Sequence, residues 1–134
     1  MAIYRYLKVS HRGEVCIVRF AEAKLVNPVV EELGYEFQSV AALENSGKVL
    51  MNFAGVTFVA SGLLGKLLLL NRRLKQEGGR LTLCEMVPQV RAIFSTMQLD
   101  QMFDILETEA EAFAALKRLR KNKLNKFHLF GDSV

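Results

Sequence analysis

The segment GVTFVASGLLGKLLLLNRR, Gly55–Arg73, joins a short strand to a leucine-rich helix through a corner of small residues. Valine, threonine and phenylalanine favour the strand before the corner. After Ser61, leucines recur at three- and four-residue steps, which is the period of one buried helix face. We expect Ser61 to cap the first turn of this helix and Gly78-Gly79 to end it. The segment therefore predicts a strand, a tight corner and a largely buried helix in succession.

Strand-like and helix-like segments alternate on both sides of this segment. Two strands flank a turn at Arg12-Gly13, and Asn27-Pro28 then supplies a cap and a proline for the first helical position. Downstream follow the strand RLTLCEM, a helix opened by Pro88, a short strand in DQMFDILET and a final helix. The predicted fold class is α/β, a single domain whose mixed β-sheet of about four to five strands packs with about four α-helices.

Length and composition are those of one domain, because the chain has 134 residues and 51% of them are hydrophobic. We assign residues 1–120 to the domain and residues 121–134 to a basic, partly apolar C-terminal tail. The longest apolar run is interrupted by Lys66 and is shorter than the roughly 20 residues that cross a bilayer, so no membrane span is predicted. The first residues lack the pattern of a secretory signal, and we expect a cytoplasmic protein.

Patterns for catalysis and metal binding are weak in this sequence. Cys16 and Cys84 lie far apart within apolar strands, and we expect both to be buried, reduced thiols. His11 and His128 have no thiol or carboxylate at ligand spacing, so neither a metal nor another cofactor is predicted. No phosphate-binding glycine loop and no histidine beside a nucleophile occur, which argues against an enzyme. A basic tail alone does not predict nucleic-acid binding.

The order and spacing of the pieces from Lys48 to Ile105 carry a more specific signal. They are the strand ending in Gly55–Phe58, the small-residue corner, the leucine-rich helix with its glycine stop, and the strand and Pro88 helix that follow. Together they resemble the STAS domain of bacterial anti-sigma factor antagonists. In that family, a kinase that is also the anti-sigma factor phosphorylates a corner serine. Only the unphosphorylated form binds this kinase and frees the sigma factor.

The corner departs from the Asp-Ser-Ser-Gly-Leu-like sequence of the family. In an ungapped alignment, Ala60 stands at the aspartate, Ser61 at the first serine and Gly62 at the phosphorylated serine. Asn52 stands where the family usually has an acidic residue. A one-residue slip would instead place Ser61 at the phosphoacceptor position, but it needs an insertion in the helix. We prefer the ungapped alignment, which indicates altered or lost phosphorylation control and leaves Ser61 as the candidate for modification.

The resemblance implies a non-enzymatic interaction module whose partner is an anti-sigma factor or kinase-like protein. Leu64 and Leu68, at the edge of the leucine stripe, are candidates for an exposed apolar patch, and Lys66 favours an acidic partner. The predicted docking residues are Ala60, Ser61, Gly62, Leu64, Gly65, Lys66 and Leu68. A homodimer also remains open. The alternative is a regulatory STAS domain that binds a small ligand or nucleotide, or that serves as a subunit of a larger transport or stressosome-like assembly.

Overall fold

The computed structural model of the protein describes residues 3–44 and 47–119. The strands are β1 (Leu7–Arg12), β2 (Val15–Phe20), β3 (Lys24–Leu25), β4 (Lys48–Asn52), β5 (Phe58–Val59), β6 (Arg80–Cys84) and β7 (Asp104–Leu106). The helices are α1 (Val29–Leu43), α2 (Ser61–Gln76), α3 (Pro88–Thr96) and α4 (Glu109–Arg118). The predicted tail, residues 121–134, lies outside the described residues.

The main sheet has five strands in the order β1-β2-β4-β6-β7. Only β1 and β2 pair antiparallel within it, and the pairs β2/β4, β4/β6 and β6/β7 are parallel. All five residues of β4 are buried, as expected for a central strand that is covered on both faces. The predicted α/β fold with a mixed sheet is therefore confirmed.

The two faces of the sheet carry separate apolar clusters. Because side chains alternate along a strand, Val49 and Met51 enter the larger cluster, which is covered by α1, α2 and α3. Leu50 lies on the opposite face and packs with Ala112 and Leu116 of α4. Among the described residues, none of the helices is both long enough and apolar enough to cross a membrane.

A small second sheet positions the corner. The strand predicted from Lys48 to Phe58 ends at Asn52, and β5 pairs in parallel with β3 instead of continuing β4. Gly55 has a φ of 85°, a left-handed conformation that glycine adopts without strain. The backbone N–H of Ala60 donates to the carbonyl of Leu25 at 2.9 Å, which anchors the chain just before α2.

Two predicted helix caps are wrong. Ala60, with extended φ and ψ of −73° and 149°, is the N-cap of α2, so Ser61 is the first helical residue and its side chain does not cap the helix. At α1, Pro28 occupies the cap position and the helix begins one residue later than predicted. The predicted stop of α2 is confirmed, because Gly78 has a φ of 82° and the N–H of Gly79 donates to the carbonyl of Leu74 at 2.7 Å.

Candidate interaction site at the start of the leucine-rich helix

The first turns of α2 present an exposed surface of small residues. Ser61, Gly62 and Gly65 are exposed, whereas Ala60 is half-buried and packs against the larger core cluster. The β3/β5 pair holds this surface through three backbone hydrogen bonds from the segment 57–60 to the segment 23–25. The corner is thus built on fixed backbone, as a recognition surface requires.

Neither glycine of this surface is required by the packing of the chain itself. A Cβ atom added to Gly65 would meet nothing within 4 Å, and one added to Gly62 would make an ordinary contact with Val30 Cγ1 at 3.5 Å. Each glycine nevertheless costs the helix roughly 0.5–1 kcal/mol relative to alanine. The sequence therefore keeps this face of α2 bare at a cost in stability.

The exposed apolar side chains differ from those predicted. Leu64 is buried, with 1% of its surface exposed, so its assignment to an exposed docking patch was wrong. Leu68 is half-buried against the core. Leu69 is 51% exposed instead, and it follows Gly62 and Gly65 along one side of the helix. The spacing of seven residues from Gly62 and four from Gly65 is the sequence signal that would have identified Leu69.

The basic residues of α2 divide into paired and unpaired groups. Lys66 Nζ lies 3.2 Å from Glu31 Oε1 of α1, and Arg73 contacts both Gln38 at 2.8 Å and Glu77 at 3.4 Å. Within the described part of the chain, Arg72 makes no ion pair. A groove of about 560 Å³ between α1 and α2 is lined by residues that include Tyr35, Lys66, Leu69 and Arg72. The exposed stripe from Gly62 to Arg72 thus combines open backbone, apolar surface and positive charge.

A polar cluster explains the amide at position 52. Asn52 Nδ2 donates to Glu109 Oε1 at 2.7 Å, and Asn52 Oδ1 accepts from the backbone N–H of Ala54 at 2.7 Å. Glu109 also pairs with the guanidinium groups of Arg12 and Arg19. An amide can donate to a carboxylate and accept from the backbone at once, which an ionised aspartate cannot do. Asn52 is therefore a structural residue fitted to Glu109.

Comparison of the sequence with protein-family models finds a match to the STAS domain over residues 6–112 of this chain. This chain belongs to the STAS domain family. An anti-sigma factor antagonist STAS protein from Planctomyces limnophilus aligns with 83% of this chain and 97% of its own, with 22% identity and a TM-score of 0.73. The unphosphorylated anti-sigma factor antagonist SpoIIAA aligns with 85% of this chain and 98% of its own, with 22% identity and a TM-score of 0.71.

A third solved structure belongs to a much larger protein. The murine Solute Carrier 26 anion transporter Slc26a9 aligns with 79% of this chain but 18% of its own, with 18% identity and a TM-score of 0.63. No curated protein matched the chain by sequence. At these identities the solved structures establish the fold of this STAS domain.

The two thiols of this STAS domain are buried, as predicted. Burial raises the pKa of Cys16 to about 12, with a further contribution from the charge of Glu44. Burial likewise raises the pKa of Cys84 to about 12, and nearby Glu85 adds to the effect. Because the thiolate is the nucleophilic form, both thiols are poor nucleophiles at neutral pH.

The STAS fold also brings together three side chains that lie apart in the sequence: His11, Cys16 and Glu44. His11 and Cys16 are opposite each other in the β1/β2 hairpin, and Glu44 directly follows α1. His11 Nε2 lies 2.8 Å from Glu44 Oε1. Spacing along the chain could not reveal this cluster, because it depends on the hairpin register and on where α1 ends.

Proposed function

We propose that this STAS domain is a cytoplasmic, non-enzymatic interaction module of bacterial signalling that docks on an anti-sigma factor or kinase-like protein. The observation that carries the proposal is the pair of exposed glycines, Gly62 and Gly65, which the packing of the chain does not require. A bare helix face lets a partner's backbone approach closely. Membership of the family and the fold shared with anti-sigma factor antagonists support the same function.

The proposed docking surface retains most of the predicted residues. Ala60, Ser61, Gly62, Gly65 and Lys66 stay in it, with Leu68 at its half-buried edge. Leu64 leaves the set because it is buried, and Leu69 replaces it as the accessible leucine. Phe58, 48% exposed on β5, adds an aromatic side chain just before the corner. The exposed positive charge of Arg72 favours an acidic patch on the partner. Homodimer formation stays a prediction.

We also propose that phosphorylation no longer controls this docking. The start of α2 could accept a phosphate, because a helix N-terminus offers unpaired N–H groups and its first turn has no acidic residue. However, Ala60 and Gly62 remove the carboxylate and hydroxyl that the family has on either side of Ser61. Peptide and intact-mass spectrometry of the protein from its native cells should find Ser61 unmodified under every growth condition. A substantial phosphorylated fraction would refute constitutive docking.

The docking surface itself is tested with Gly65→Gln in the full chain. Glutamine is a better helix former than glycine, so the variant should be more stable than the wild type by about 0.5 kcal/mol in urea unfolding. Its side chain should also hinder the partner and weaken binding at least tenfold. Ala42→Gln is the matched control, because it adds the same side chain at an exposed position of the other helix, α1.

Binding is measured by calorimetry with a purified partner that has a histidine-kinase-like ATP fold and is recovered from the native cells. The proposal requires Gly65→Gln to bind weakly while Ala42→Gln binds like the wild type. Equal affinity of the two variants, with both folded, would show that the partner docks elsewhere. If no protein of that fold binds the wild type, the kinase-like partner is wrong.

A second candidate function is regulation by a small ligand or nucleotide, alone or within a larger transport or stressosome-like assembly. The groove between α1 and α2 favours it, because the groove combines an exposed tyrosine with basic side chains. A nucleotide that binds there should raise the melting temperature in the absence of any protein partner. Arg72→Gln should abolish that shift. An unchanged melting temperature across a nucleotide series would eliminate this candidate for nucleotides.

A further inference from the structure

A mixed set of nitrogen, sulfur and oxygen atoms converges near the turn of the β1/β2 hairpin. One ligand atom from each of His11, Cys16 and Glu44 lies within 4.8 Å of the others. His11 and Cys16 are cross-strand neighbours, so their side chains emerge on the same face of the hairpin. The cluster belongs to β1, β2 and the end of α1, and it includes none of the residues of the proposed docking surface.

We propose that His11, Cys16 and Glu44 form a binding site for a zinc ion. Imidazole, thiolate and carboxylate are the three protein ligand types of Zn²⁺, which prefers a tetrahedral arrangement. Three protein ligands leave the fourth position for water or for an atom of a bound molecule. A thiolate in the set also selects Zn²⁺ over Mg²⁺ and Ca²⁺, which prefer oxygen ligands.

The surroundings of the cluster provide a hydrogen-bond partner for the Glu44 carboxylate and an entry path for the ion. The hydroxyl of Tyr4 donates to the second carboxylate oxygen of Glu44 at 2.8 Å, which fixes the orientation of that carboxylate. Such partners of a ligating carboxylate are a regular feature of metal sites. The side chain of His11 is 46% exposed, whereas Cys16 is fully buried, so an ion can enter from the histidine side.

Binding requires only small movements within the cluster. The 2.8 Å contact between His11 Nε2 and Glu44 Oε1 has to open by about 0.5 Å to admit the ion. Ligands bound to tetrahedral zinc at about 2.0–2.3 Å lie roughly 3.3–3.8 Å from one another, so the widest pair has to approach by about 1 Å. The His11–Glu44 contact would be replaced by two bonds to the ion. A coordinated thiol is deprotonated outright, so binding should release a proton from Cys16 despite its burial.

The test begins with the metal-free full chain and Co²⁺, a spectroscopic substitute for Zn²⁺. Addition of Co²⁺ should produce a thiolate-to-cobalt charge-transfer band that saturates at one ion per chain. Zn²⁺ should then displace the cobalt and remove the band. The absence of a charge-transfer band, or a band that fails to saturate at one equivalent, would overturn the proposal.

Variants identify the ligands. His11→Gln and Glu44→Gln should each weaken Zn²⁺ binding more than about 100-fold, because even loss of a ligand's hydrogen-bonding partner typically costs 10- to 100-fold. Tyr4→Phe should weaken Zn²⁺ binding by the smaller factor of about 10- to 100-fold. Cys16→Ala should lose the charge-transfer band. His11→Gln keeps the test decisive if Cys16→Ala fails to fold, because His11 is exposed on an edge strand.

The chain offers a matched control for the thiolate ligand. Cys84 is the other cysteine, and it does not belong to the cluster. Cys84→Ala should keep the affinity and the charge-transfer band of the wild type. Loss of the band in folded Cys84→Ala, with Cys16 intact, would show that the ion binds elsewhere and that the proposed site is wrong.

Discussion

At the scale of single residues, Asn52 shows how a departure from a family pattern can have a structural cause. Its amide lies 2.7 Å from a carboxylate oxygen of Glu109, at the start of α4. An acidic residue at this position would place two carboxylates at hydrogen-bond distance, where they cannot easily both be ionised. The asparagine and Glu109 therefore have to be understood as a pair, which the sequence analysis of position 52 alone did not reveal.

Asn52→Asp should accordingly lower the free energy of unfolding by about 2 kcal/mol at neutral pH, since a hydrogen bond to a charged group is replaced by repulsion. In the folded variant, one carboxyl of the pair should have a pKa above its unfolded value. A group shifted in this direction stabilises the fold below its unfolded pKa and loses that contribution as pH rises. The deficit relative to the wild type should thus shrink between pH 7 and about pH 4, as measured by urea unfolding.

The double variant Asn52→Asp/Glu109→Gln is the control for this prediction. It restores one amide and one carboxylate in exchanged positions, so it should recover part of the lost stability. It also removes the charge that pairs with Arg12 and Arg19, so recovery should be incomplete. A pH-independent deficit in Asn52→Asp would contradict the role of carboxylate repulsion.

At the scale of elements, only some features of α2 could be predicted from its sequence. Its existence and its end were predictable, because leucines recur with helical period and Gly78 adopts the left-handed conformation that ends a helix. The N-cap residue of α2 was not predictable. Ala60 occupies this position, and its extended backbone is held by a hydrogen bond to β3. A strand of two residues such as β3 has too few positions to show alternation.

The faces of α2 were also only partly predictable. Six of its residues are buried: Leu63, Leu64, Leu67, Leu70, Asn71 and Leu74. The buried arc is wide because α2 packs against α1 and β6 as well as the larger cluster, so Leu64 falls inside it. Which of several leucines lies at the edge depends on these neighbours. Helical period alone fixes the relative positions of the leucines and not the boundary of the core.

This boundary can be measured by comparing two leucines of the same helix. Leu64→Ala should lower the free energy of unfolding by about 3 kcal/mol, because it removes a fully buried side chain and leaves a cavity. Leu69→Ala, at a position that is half exposed, should change it by less than about 1 kcal/mol. Urea unfolding of both variants measures the two losses of unfolding free energy. Similar losses for the two leucines would mean that the exposed stripe is misassigned.

At the scale of the whole molecule, the main sheet separates the corner and its supporting helices from α4. The larger cluster with α1, α2 and α3 supports the corner, and among the described helices α4 alone covers the second face. The alternating pattern predicted this layered architecture. It could not predict contacts between distant segments, such as Asn52 with Glu109 or His11 with Glu44, because these follow from strand register and the lengths of the connections.

The two-faced architecture leads to a prediction that concerns distance through the molecule. Leu116→Ala should lower the free energy of unfolding by about 3 kcal/mol, because Leu116 is fully buried in the second cluster. The amide chemical shifts of Ser61 to Gly65 should nevertheless remain those of the wild type, since the sheet lies between α4 and the corner. Leu64→Ala is the contrasting variant and should move these shifts. If Leu116→Ala moved them as strongly, the two faces would be mechanically coupled, and α4 would be able to influence docking at the corner.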